Sequence, residues 1–141
     1  MFRSVASLAI VASVLAGTSA AAGARAPQRS APDEGRTLFL TYCSSCHGRD
    51  GRGNGPVAPS LKVPPQDLTK FAQRNGGSFP ADLTRRIVDG RDARARTHGP
   101  VGMPVWGDAF IRREGMSEAE AKARIDAIVR YLDSIQERSG Q

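Results

Sequence analysis

Apolar side chains recur at helical spacing in three stretches of this chain. The longest stretch covers residues 117–136, and Ser117 with Glu120 forms a capping box at its start. Shorter helices are predicted over residues 34–42 and 80–89, where Gly90 provides the stop signal of the second one. The three- and four-residue spacing of an amphipathic helix is clearest in the longest stretch, at Ala121, Ile125, Ile128, Val129, Leu132 and Ile135.

Glycine and proline interrupt the chain between these helices. Residues 48–65 are too rich in both to continue a helix or a strand, and a short helix is predicted over residues 66–74. The run at residues 51–56 looks like a phosphate-binding loop but lacks the Lys-Ser/Thr ending, so it does not predict nucleotide binding. Because no segment shows the alternation of a strand, the pattern predicts an all-α fold.

The N-terminal segment has the layout of a secretory signal peptide. Arg3 gives it a positive start, residues 5–16 are apolar or small, and further small residues follow. We expect residues 1–22 to be a signal peptide cleaved near residues 20–26, residues 23–32 to form a flexible arm, and residues 33–137 to form the folded domain. An uncleaved membrane anchor is the alternative, but the apolar run is shorter than the roughly 20 residues that span a bilayer. We therefore expect a periplasmic protein without stable membrane insertion.

Composition adds two constraints. Aromatic residues make up only 6% of the 141 residues, so the core would be thin, and a bulky apolar prosthetic group would complete it. The formal net charge is +6, but no basic stripe interleaved with aromatic residues accompanies it, so a nucleic-acid partner is not expected.

The two cysteines carry the strongest chemical signal. Cys43 and Cys46 are followed at once by His47, in the order Cys-Ser-Ser-Cys-His. A redox disulfide of this spacing should open a helix after a strand, and a structural zinc site needs four ligands, whereas His98 is the only other histidine. In an exported chain the motif is typical of covalent haem attachment, with two thioether bonds and a histidine ligand for the iron.

Three side chains are candidates for the second axial ligand. Met103 lies between Gly102 and Pro104 in an irregular, stiff stretch that can hold a thioether in place. A lone methionine is otherwise core filler, and Met116, just before the last helix, is interpreted as a linker or hydrophobic-staple residue at a helix start. His98 is the third candidate, because neutral imidazole is a good iron ligand.

Together these residues resemble the bacterial class I c-type cytochromes, in the variety with a Met-Pro-x-Trp-Gly loop. The likeness covers residues 35–135. It implies a cytochrome c fold of about four to five helices wrapped around one covalently bound haem c. It also implies that Gly35 and Phe39 of the first helix pack against Ile128 and Tyr131 of the last.

The resemblance implies roles for residues around the haem. Pro59 and Leu61 match the family's Pro-x-Leu after the attachment motif, and the Pro59 carbonyl would accept a hydrogen bond from the free ring nitrogen of His47. Met103 would be the second axial ligand. Trp106 would place its indole N–H near a haem propionate or pack against the ring.

The expected function is electron transfer. An iron with both axial positions filled binds no substrate, so we expect a soluble, exported monohaem cytochrome c, not an enzyme, that carries single electrons between redox protein partners. The alternatives are a haem c subunit of a periplasmic dehydrogenase complex, and a ligand-binding or peroxidase-like haem protein with a labile sixth ligand. A charged stretch forms either a solvated face or a docking patch; it contains Arg85, Arg86, Arg91, Arg94 and Arg96, offset by Asp82, Asp89 and Asp92.

Overall fold

The computed structural model describes residues 31–92 and 102–137. Within these ranges the backbone forms α-helices and no β-strand, so the predicted all-α class is confirmed. None of these helices is long and apolar enough to cross a bilayer. The described helices are α1 (Ala31–Tyr42), α2 (Ser44–His47), α3 (Phe71–Arg74), α4 (Ala81–Asp89), α5 (Trp106–Glu114) and α6 (Glu118–Ser134), with 3-10 turns at Ala58–Ser60 and Leu68–Lys70.

The described helices outnumber the four to five that we expected. Two of them, α2 and α3, are single turns of four residues each. The α3 turn falls within the short helix predicted over residues 66–74, whereas no helix was predicted at α2 or at the one that follows the residues around Met103, α5. Its fully buried Phe110 faces the core, and Gly115 ends the helix in the left-handed conformation with φ 70°.

The predicted helix ends have clear physical causes. The capping box of α6 is present, since Ser117 Oγ accepts from the Glu120 N–H and a Glu120 carboxylate oxygen accepts from the Ser117 N–H. Gly90 ends α4 with φ 74°. α1 begins earlier than predicted, at Ala31, because Pro32 falls in the first turn, where its missing N–H leaves no helical hydrogen bond unmade.

The contact between α1 and α6 organises the core. A Cβ added to Gly35 would lie 2.2 Å from the Ala127 carbonyl oxygen and 2.9 Å from Tyr131 Cβ, so only glycine permits this approach. Phe39 is fully buried, and its ring centroid lies 5.2 Å from that of Tyr131. The predicted pairing of the first and last helices is therefore confirmed, with Ala127 as an additional contact.

The amide of Gln136 attaches α3 and the 3-10 turn before it to the end of α6. Its Oε1 accepts from the Ala72 N–H at 2.9 Å, and its Nε2 donates to the carbonyls of Leu68 at 2.9 Å and Leu132 at 2.7 Å. A buried amide with all of these bonds made fixes the backbone around it. As a result, the backbone of residues 68–72 is held in a fixed position against the end of α6.

Candidate haem site

A cavity of about 250 Å³ lies among α1, α3, α4 and α6. Three of the residues predicted for the site line it: Cys43, His47 and Met103. The remaining wall is mostly apolar, as a haem pocket requires. Its apolar members are Phe39, Leu68, Phe71, Pro80, Leu83, Ile87, Val88, Ile128 and Leu132.

Cys43, Cys46 and His47 lie on one short turn. The N–H groups of Cys46 and His47 both donate to the Cys43 carbonyl, at 3.2 and 2.9 Å. Both cysteines are free thiols; Cys43 is buried and Cys46 is partly exposed. Burial, with a smaller contribution from Cys46, raises the pKa of Cys43 to about 12. Two free thiols at this spacing are available for covalent attachment of one cofactor.

His47 has the chemistry that its predicted role as a metal ligand requires. Burial lowers the pKa of its imidazole, and the backbone of Gln66 offsets part of that shift, so the ring is neutral at pH 7. Within the described residues, Nδ1 of His47 is the one buried side-chain nitrogen or oxygen without a hydrogen-bond partner. An unpaired buried ring nitrogen is unusual, and because His47 lines the apolar cavity, its imidazole fits a site where the ring binds a metal through one nitrogen and donates from the other.

Two of the three candidates for the second axial ligand lie within the described residues, and their surroundings differ. Met103 is partly buried between α4 and α5 and lines the same cavity as His47. Met116 packs against the core at the start of α6 and is absent from the cavity wall. His98, the third candidate, lies outside the described residues.

The other predicted site residues lie away from the cavity wall. Pro59 is exposed on the 3-10 turn Ala58–Ser60, and Leu61, just after it, is 39% exposed. In the described part of the chain, the exposed large apolar side chains all belong to this loop: Val57, Leu61 and Val63. Such a patch is unusual unless something apolar covers it.

Trp106 belongs to an aromatic cluster instead of the cavity wall. Its ring centroid lies 5.4 Å from that of Tyr42 and 5.7 Å from that of Phe110. Edge-on and tilted contacts at these distances stabilise packing. This placement favours a packing role for Trp106 over an interaction of its indole N–H with a propionate.

Sequence reasoning missed several polar residues of the wall. Gln66, Arg74, Asn75 and Thr84 all line the cavity. Arg74 donates to the Asp67 carbonyl, and its guanidinium lies 5.1 Å from the Phe71 ring centroid. In a chain this rich in arginine, no sequence signal distinguishes Arg74 from the arginines of the surface.

A protein-family model described as cytochrome c oxidase, cbb3-type, subunit III matches residues 30–132. The chain belongs to this family. The matched region contains the attachment motif and the cavity, so the predictions of a cytochrome c fold and of one covalent haem c at Cys43 and Cys46 are confirmed. This cytochrome c domain is thus a monohaem electron-transfer domain.

Proposed function

We propose that this protein is an exported carrier of single electrons in which His47 and Met103 are the two axial ligands of the haem iron. The observation that supports the proposal is that both side chains line one apolar cavity beside Cys43, whereas Met116 does not. When bound, the haem supplies reversible one-electron exchange. The protein's part is to hold two ligands firmly and keep other molecules from the iron.

Each axial residue suits its role. His47 offers a neutral imidazole, because burial keeps its pKa below the ordinary value. Met103 offers a thioether, which favours the reduced form and raises the reduction potential. The Met-Pro-x-Trp-Gly variety follows from this assignment, with Pro104 stiffening the stretch and Trp106 anchoring it through Tyr42.

Residues around the cavity would complete the binding of the haem. Arg74 is the cationic side chain that we assign to the negative propionates. Leu61, with its apolar neighbours on the same loop, would cover the edge of the ring. The single N–H of the iron-bound ring, at Nδ1 of His47, would donate to the carbonyl of Pro59, and the backbone carbonyl of Gln66 is the competing acceptor for it.

Location and partners form the outer part of the proposal. The signal-peptide pattern of residues 1–22 supports a periplasmic protein that is cleaved near residues 20–26; the arm expected at residues 23–32 would then lead into α1, which begins at Ala31. A redox protein is the partner, either a dehydrogenase or an oxidase. The family's description, which names an oxidase subunit, supports the oxidase.

Substitution of the two methionines tests the ligand assignment. In Met103→Ala holoprotein, the weak far-red absorption band of the ferric Met–iron bond should be lost, and the reduction potential should fall because a thioether no longer stabilises the ferrous state. Met116→Ala is the matched control and should change neither property. If Met103→Ala kept the band, or if Met116→Ala lost it, the assignment of Met103 would be wrong.

A further inference from the structure

The stretch that carries Met103 leaves α4 at Gly90 and enters α5 at Trp106, and its two ends lie close together. A Cβ added to Gly90 would be 3.1 Å from Cα of Val105. Gly90 also has a φ of 74°, which favours glycine. The base of the stretch is therefore closed by direct backbone contact two residues beyond Met103.

Arg91 binds across this base. Its Nε and Nη2 donate to the two carboxylate oxygens of Asp89 at 2.7 and 2.8 Å. Its Nη1 donates to both carboxylate oxygens of Glu118 at 2.7 and 2.9 Å. Asp89 is the last residue of α4 and Glu118 the first of α6, so one guanidinium joins the ends of two helices in a paired geometry that an ammonium group does not reproduce.

The first turn of α5 is seated on the same group of side chains. A Cβ added to Gly107 would lie 2.4 Å from Arg91 Nε and 2.8 and 2.9 Å from the Asp89 carboxylate oxygens. The side chains of Arg91 and Asp89 are 33% and 22% exposed, so water screens their attraction only in part, whereas Glu118 is 71% exposed and its attraction to Arg91 is screened more. Asp89, Arg91 and Glu118, which we call the Arg91 clamp, thus hold α4, α5 and α6 together where the Met103 stretch begins and ends.

We propose that Arg91 is a positioning residue for Met103: the Arg91 clamp closes the base of the Met103 stretch and keeps the thioether in the cavity. The inference rests on the proposed function, in which Met103 binds the haem iron. Loss of the clamp would lower the population of molecules in which Met103 binds the iron. A small ligand that competes with Met103 for the iron would then bind more tightly in proportion.

Imidazole binding to the ferric holoprotein tests this inference, together with the temperature at which the far-red band disappears. Arg91→Gln should bind imidazole about threefold to tenfold more tightly than the wild type and lose the band at a lower temperature. Gly107→Ala, which forces Asp89 and Arg91 away from α5, should act in the same direction. Arg91→Lys should fall between Arg91→Gln and the wild type, because it keeps the charge without the fork.

Arg112→Gln is the matched control, because Arg112 is 77% exposed on α5 and lies 4.0 Å from Asp108; it should bind imidazole as the wild type does. Band loss that coincides with global unfolding, measured by far-UV circular dichroism, in Arg91→Gln and Gly107→Ala alike would overturn the inference. So would unchanged imidazole affinity in both variants, provided that the wild type shows the band. A wild type without the band would instead refute Met103 as the ligand, and this inference with it.

Discussion

The carboxyl group of Asp89 has a lowered pKa, and its neighbour Arg91 is the cause. Hydrogen bonds from Arg91 hold the pKa of the Asp89 carboxyl below its ordinary value, although partial burial acts against them. A carboxyl with a lowered pKa in the folded state stabilises the protein above its unfolded pKa, which is about 4. That contribution is lost as the pH falls through the lower, folded value.

We therefore predict a pH-dependent difference between the wild type and Asp89→Asn. At neutral pH the variant should have the lower free energy of unfolding, and the gap should narrow as the pH falls below about 4. Urea unfolding of both holoproteins at neutral pH and at a pH below about 4 measures this difference in the free energy of unfolding. Asp108→Asn is the control, because the Asp108 carboxylate is more exposed and lies 4.0 Å from Arg112. A difference between Asp89→Asn and the wild type that is the same at both pH values would contradict the prediction.

Among the helices, α1 and α6 cross in close backbone contact at Gly35. Helix propensity alone would make Gly35→Ala stabilising by up to ~1 kcal/mol. The added Cβ would, however, meet the Ala127 carbonyl and Tyr131 Cβ within 3 Å. We predict that overpacking prevails and that Gly35→Ala loses about 1–3 kcal/mol.

Denaturant unfolding of Gly35→Ala and of Arg36→Ala makes the comparison. Arg36 is the exposed neighbour of Gly35 on α1, so its replacement by alanine should change the free energy of unfolding by less than about 0.5 kcal/mol. A Gly35→Ala variant as stable as the wild type would show that the two helices can move apart at no cost.

The helices differ in how far the sequence could predict them. α6 has a capping box and an uninterrupted apolar stripe, both of which are local signals, and the prediction is confirmed. α5 has Trp106 and Phe110 at helical spacing, but Gly107 in its first turn looks like a loop residue in the sequence. That glycine is explained only by the side chains of Asp89 and Arg91 beside it, which is a contact between distant segments.

The residues of the candidate site also differ in how far the sequence could predict them. Cys43, Cys46 and His47 form a contiguous motif, so their chemistry follows from sequence alone. Met103 is a candidate from its position between Gly102 and Pro104, which the family resemblance then supports, and its place in the cavity wall agrees with that expectation. Arg74 and the bonds of Gln136 depend on which segments meet in three dimensions, and no local pattern announces them.

At the scale of the whole molecule, the core is built around a cavity. Several apolar residues of α4 and α6, among them Leu83, Ile87 and Leu132, line it instead of filling it. Without haem these side chains have no apolar partner to pack against. A domain of this size has a small free energy of unfolding, so the loss of that contact is severe. We predict that a Cys43→Ala/Cys46→Ala variant produced without haem has much lower helicity than the holoprotein by far-UV circular dichroism. A fully helical apoprotein that unfolds cooperatively would contradict this.

Carbon monoxide binding to the reduced wild-type protein at neutral pH tests most directly whether the molecule carries electrons without acting on bound ligands. If Met103 and His47 hold the iron from within the cavity, carbon monoxide should leave the ferrous spectrum nearly unchanged, whereas Met103→Ala should bind it readily. Ready binding by the wild type would contradict the account and favour a haem protein that binds ligands at an open iron.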